Sequence, residues 1–111
     1  MMDDSIYFPD WRGLVRYSTD GPEMTILNEG RAHKALLAGL EAGGRIPQHP
    51  ERLGLYHVLD GTGFMTVDGE RYPLTAGVTV IAPEGSARGF EAETRLAFIA
   101  VRVGPEPAST P

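Results

Sequence analysis

The sequence predicts an all-β, single-domain fold: a small barrel or sandwich of short antiparallel strands. Three observations carry the prediction. Fourteen glycines and nine prolines in 111 residues, beside 41% hydrophobic residues, describe many turns joining short apolar runs rather than disorder. From Gly43 to Glu91, glycine-containing turns fall at short, regular intervals between those runs. Asp68-Gly69 lies between two such runs and suits a type I′ hairpin turn, whose two central residues need positive φ.

In chain order, Ile6–Phe8, Leu14–Tyr17 and Met24–Asn28 read as amino-terminal strands. Residues 1–31 are thus an extension, with a candidate strand for pairing with a partner subunit. Ala32–Ala42, AHKALLAGLEA, has helix propensity, and Gly43-Gly44 would cap such a helix. The run of strands that follows favours strand there instead. Leu53–Asp60 is a strand ending at Gly61-Thr62-Gly63. Phe64–Val67 and Glu70–Leu74 form the hairpin about Asp68-Gly69, and Pro73, lacking an amide donor, places its arm at an edge or keeps it short. Val78–Ala82 is closed by Pro83-Glu84-Gly85, and Ala87–Phe90 and Arg95–Val103 complete the series. Residues 32–103 make the barrel, and 104–111, Pro-rich and polar, form a disordered tail.

Composition excludes several functions. The net charge is −5, and the basic residues of the first half are scattered singly, so no nucleic-acid partner is expected. The absence of cysteine rules out disulfides, thiol catalysis and thiolate metal sites. No apolar run approaches the roughly 20 residues of a membrane span, and the amino terminus MMDDSIYFPDW lacks a signal-peptide pattern. A cytoplasmic protein without membrane contact is the expectation. No phosphate-binding glycine loop or Ser-His-Asp order appears.

The run Gly77-VTVIA-Pro83-Glu84-Gly85-Ser86-Ala87-Arg88 resembles the second motif of the cupin superfamily: G, five residues, P-x-G, two residues, H. The glycines and proline match in identity and spacing. Arg88 stands in the histidine position and Ala92 in that of the closing asparagine. The segment from Gly43-Gly44 through His49 to Gly61 or Gly63 is similar to the first motif, H-x-H followed by a glutamate. Counted back from Gly61, His49 is the second histidine and Gly54 replaces the glutamate. Counted forward from Gly43, His49 is the first histidine, Glu51 takes the second place and Tyr56 the glutamate's. The spacing leaves both counts open. The resemblance covers about residues 32–103 and implies a jelly-roll, cupin-like β-barrel.

A metal-binding cupin is expected to use three histidines and a glutamate. Here His49 is the one retained candidate ligand, and a guanidinium at position 88 repels cations. No metal or other cofactor is therefore expected. A divalent transition metal in a dioxygenase- or isomerase-type enzyme is the alternative, and a non-catalytic dimeric sensing or assembly module a further one. No catalytic residue is assigned. The expected site binds a small molecule through His49, Arg88, Tyr56 and Glu51. An inward Arg88 must pair with an acid, for which Glu51 is the candidate, reach solvent, or receive a small organic anion. Alternation places Tyr56, Val58, Ser86 and Phe90 inside, with either Phe64 or Met65. It places His57 outside, and His33 reads as a surface residue. A homodimer is expected, with Arg95–Val103 and the amino-terminal strands as candidate interfaces.

Overall fold

The computed structural model describes residues 6–105. The strands are β1 (Glu23–Gly30), β2 (His33–Leu40), β3 (Arg45–Pro50), β4 (Leu53–Asp60), β5 (Gly63–Val67), β6 (Glu70–Leu74), β7 (Thr79–Ala82), β8 (Ala87–Ala92) and β9 (Leu96–Val103). A five-stranded sheet runs β1-β2-β9-β4-β7 and a four-stranded sheet β3-β8-β5-β6. Every ladder within them is antiparallel. This is the jelly-roll arrangement, but the two sheets face each other without closing into a continuous barrel.

The segment of ambiguous propensity is strand β2. It lies between β1 and β9, paired on both sides along its length. Such a central place favours sheet over the helical preference of Ala and Leu. Asp68 (φ 48°) and Gly69 (φ 86°) join β5 to β6 in left-handed conformations, as the hairpin requires. β6, with Pro73, is the edge of its sheet.

The amino-terminal expectation needs correction. Met24–Asn28 lies within β1, but neither Ile6–Phe8 nor Leu14–Tyr17 is a strand. Trp11–Gly13 is a single turn of 3-10 helix, where the Gly13 amide donates to Asp10 Oδ1 at 3.3 Å. Between it and β1, Ser18 forms an isolated bridge to Leu40, and the Leu14 carbonyl accepts from Thr25 Oγ1 at 3.3 Å. β3 is a strand that the sequence reading did not single out. Of the expected tail, residues 106–111 lie outside the described residues.

The inward faces make the core. Leu36, Leu40, Val58, Met65, Leu74 and Leu96 are at most 2% exposed, and Tyr56, Phe90 and Phe98 join them. Met65 points in and Phe64 out, where the Arg71 guanidinium stacks 3.6 Å from its ring centre. The outer faces differ. The four-stranded sheet carries the Arg71–Glu91 ion pair (3.1 Å) on its outer side. The five-stranded sheet instead exposes Leu53, Leu55, Ile81 and Val103 there.

Candidate functional site

Between the sheets lies a cavity of about 180 Å³. Apolar side chains form most of its wall: Leu36, Ile46, Phe90, Phe98 and Ala100, with Met24 from the edge strand. The Phe90 and Phe98 rings stack at 4.4 Å, and Tyr56 is tilted against both. The polar wall consists of His49, Glu51, Tyr56, Arg88 and Arg102. All four residues selected from the sequence thus meet at one place, together with an arginine that was not selected.

A bulge brings His49 there. Ile46 pairs with Phe90 and His49 with Arg88, so three steps on β3 oppose two on β8. The extra residue lets Ile46 and His49 share the inward face although their spacing is odd. Pro47 and Gln48 form the bulge, and the bare α-carbon of Gly89 makes room for it. A Cβ at Gly89 would stand 2.6 Å from the Ile46 carbonyl oxygen and 3.0 Å from the Gln48 nitrogen. His49 remains exposed, at the mouth of the cavity.

Arg88 is 4% exposed. Among the described residues it faces no carboxylate within ion-pair distance, so of the alternatives for Arg88 the pairing with the Glu51 side chain is not formed, and at 4% exposure neither is the reach to solvent. Its guanidinium is held by neutral oxygens. Nε donates to the Ser86 carbonyl at 3.2 Å, and Nη1 to the Tyr56 hydroxyl at 3.2 Å. Nη2 donates to the carbonyls of Pro83 (2.8 Å) and Glu51 (3.2 Å) and to Ser86 Oγ (2.9 Å). The 83–86 turn supplies most of these acceptors, so the turn that follows β7 also seats the buried charge. Carbonyl dipoles aimed at a cation stand in for a counter-ion. Gly54 provides the space: a Cβ there would lie 2.6 Å from Arg88 Nη1 and 2.8 Å from the Tyr56 ring. Gly54 and Tyr56, the two residues that the alternative counts put in the glutamate's place, therefore both border Arg88.

The Glu51 carboxylate faces the other way. Oε1 accepts from the Arg52 amide at 3.0 Å and is 3.9 Å from Arg52 Nε, and Oε2 is 3.5 Å from Arg102 Nη1. Arg102 makes no side-chain hydrogen bond among the described residues, and its buried Nε has no partner. Sequence reasoning missed it, though a signal was present. Along Leu96-Ala97-Phe98-Ile99-Ala100-Val101-Arg102, the alternation that puts Phe98 inside also puts Arg102 inside. His57 points outward, its Nδ1 2.7 Å from Thr79 Oγ1. His33 is half-buried, with Nε2 2.6 Å from Asn28 Oδ1. Among the described residues no three His, Asp or Glu side chains come together as a metal site.

Residues 36–102 match the family described as Cupin domain. The chain belongs to the cupin family. No curated protein matches this cupin, whereas many solved structures share its fold. A conserved protein of unknown function from Streptococcus pyogenes superposes with a TM-score of 0.79 at 22% identity, covering 92% of this chain and 90% of that one. An RmlC-like cupin from Desulfovibrio desulfuricans gives 0.76 at 23% identity, covering 95% and 99%. Salicylate 1,2-dioxygenase from Pseudoaminobacter salicylatoxidans gives 0.63 at 20% identity, over 66% of this chain but 20% of its own length. At these identities the likeness is one of fold. Among the described residues of this cupin, no helix is long and apolar enough to cross a membrane.

Proposed function

We propose that this cupin binds a small organic acid in the cavity between its sheets, and does so without a metal. The observation that carries the reading is the charge of the wall. Two guanidiniums, Arg88 and Arg102, and one carboxylate, Glu51, border an otherwise largely apolar space, leaving an excess of one positive charge. A carboxylate with an apolar body matches both parts of that wall. The volume lies below the roughly 300–1,000 Å³ of sites for drug-sized molecules, so the ligand is small. His49 stands at the entrance, and Tyr56 and Arg88 form the polar end.

The metal-enzyme alternative has the donor set against it. A divalent transition ion would find one imidazole, from His49, and one carboxylate already facing two guanidiniums. Arg88, in the position of the family's histidine, presents a guanidinium, which has no lone pair to offer a metal and repels a cation. A sensing or assembly module would use the same acid site without turnover.

The test is calorimetric titration of wild-type protein with small monocarboxylates and with their primary amides, beside elemental analysis of protein purified without a metal-affinity tag. Acids binding and amides not binding, on metal-free protein, is the expected result. Equal binding of acid and amide, no binding of either, or a near-stoichiometric transition metal would overturn the reading.

We also infer that a second copy of the chain covers the outer face of the five-stranded sheet. The exposed side chains Leu53, Leu55, Ile81 and Val103 (39–65% exposed) support it, as do Ile99 and Val101 on the same face of β9. Over Leu53–His57, Thr79–Ile81 and Ile99–Val103 no Asp, Glu, Lys or Arg points outward, whereas Asp60, paired with Ala97 beyond the β4 bulge, marks the charged end of that face; such an apolar strip marks an association surface. Sedimentation equilibrium should give a dimer that Leu55→Lys converts to monomer; a wild-type monomer ends the idea.

A further inference from the structure

Resting on that reading, we propose that Arg102 is the residue that grips the ligand's carboxylate, and that Glu51 is a resident stand-in which the ligand displaces. The two arginines of the cavity are not equivalent donors. Arg88 Nη2 already serves three acceptors, Nε serves one, and Nη1 is tied to Tyr56. Of its five N–H groups only the second on Nη1 has no acceptor, and a ligand taking any of the other four would break a bond to a buried oxygen. Arg102 has the opposite character. Its one charged contact is Glu51 Oε2 at 3.5 Å, too long for a good charge-assisted hydrogen bond, which falls near 2.7–2.9 Å. Its Nε is buried and has no acceptor. A buried donor without a partner is unfavourable, and native structures seldom leave one. A ligand carboxylate bridging Nε and one terminal nitrogen would fill the fork side-on.

Glu51 is placed to yield. Its side chain and that of Arg102 are 19% and 18% exposed, so an opening to solvent is at hand. On leaving Arg102 it keeps the bond from the Arg52 amide to Oε1. Its backbone carbonyl also stays fixed on Arg88. Only the Oε2 side of the carboxylate must move.

The same geometry narrows the ligand. Arg88 has a single N–H over and Arg102 a two-donor fork, so one carboxylate is gripped and the ligand carries one anionic group. Arg102 follows Phe98 and Ala100 on the inward face of β9, and the stacked Phe90–Phe98 pair lines the same space. A compact apolar body therefore lies against those rings. Small apolar monocarboxylates are the class, and dicarboxylates of similar length are excluded by the second charge.

The test titrates 3-methylbutanoate, benzoate and their primary amides into wild type, Arg102→Gln, Arg102→Lys and Glu51→Gln by calorimetry. Wild type should bind an acid and not its amide. Arg102→Gln should weaken binding about 10- to 100-fold, the loss of a hydrogen bond to a charged group. Arg102→Lys should give a smaller loss, since it keeps the charge without the fork; it also serves if the glutamine variant fails to fold. Glu51→Gln should tighten binding about 2- to 5-fold by removing a partly exposed competitor. Acid binding that is unchanged in both Arg102 variants overturns the inference and leaves the organic-acid reading standing. Acid binding weakened by Glu51→Gln overturns the displacement. Failure of wild type to bind any of the acids overturns the reading itself, and the inference with it.

Discussion

Arg88 and Arg102 share one cavity but are set into the protein differently. Arg88 is enclosed by the 83–86 turn, the Glu51 carbonyl and the Tyr56 hydroxyl, with Gly54 leaving room for its head. Arg102 stands near one carboxylate, with its Nε unused. The comparison separates two uses of a cation in an apolar fold. A guanidinium surrounded by fixed neutral oxygens is part of the architecture, because every bond it makes ties one segment to another. A guanidinium with donors left over is available for recognition. Substitution at the first should be read in stability, and at the second in binding.

The largest expected effect follows from removing the enclosed one. Arg88→Met should cost about 3 kcal/mol, since the oxygens that now accept from it lose a partner in the interior. Urea unfolding measures this, and a loss under 1 kcal/mol would mean that the carbonyl cage contributes little. Next comes Gly54→Ala, whose new methyl would press on both Arg88 and Tyr56 and should cost about 1–3 kcal/mol. In the Arg88→Met background the shorter, flexible side chain leaves room for that methyl, so the two costs should fall short of additive by more than 0.5 kcal/mol. Additive costs would separate Gly54 from Arg88. Tyr56→Phe removes one acceptor and should cost about 1 kcal/mol. The smallest effect on stability belongs to Arg102→Gln, expected within about 1 kcal/mol of wild type because its one ion pair is partly exposed. A loss as large as that of Arg88→Met would erase the distinction between the two residues.

Much of the fold was legible because glycine and proline constrain backbone geometry whatever surrounds them. Gly69, Gly77 and Gly85 adopt positive φ where the turn and motif spacing required it. Alternation placed Tyr56, Val58, Ser86 and Phe90 inside for an equally local reason. The parts that misread depend on distant contacts. Leu14–Tyr17 has strand-forming residues but no continuous ladder to join, apart from the bridge at Ser18. The β3 bulge is invisible without β8, because only Gly89 opposite Pro47-Gln48 makes it fit. The partners of Arg88 were the least legible. Sequence reasoning looked for a carboxylate, and backbone carbonyls, which every residue carries, leave no mark in the sequence. Arg102 was passed over although the alternation that puts Phe98 inside reaches it.

The most direct measurement is nuclear magnetic resonance of the arginine side-chain Nε–H groups while 3-methylbutanoate is added. The Arg102 signal should shift and saturate with the ligand, and the Arg88 signal should stay in place. Movement of Arg88 with Arg102 unmoved, or no movement of either, would contradict the assignment of this cavity to an organic acid held by Arg102.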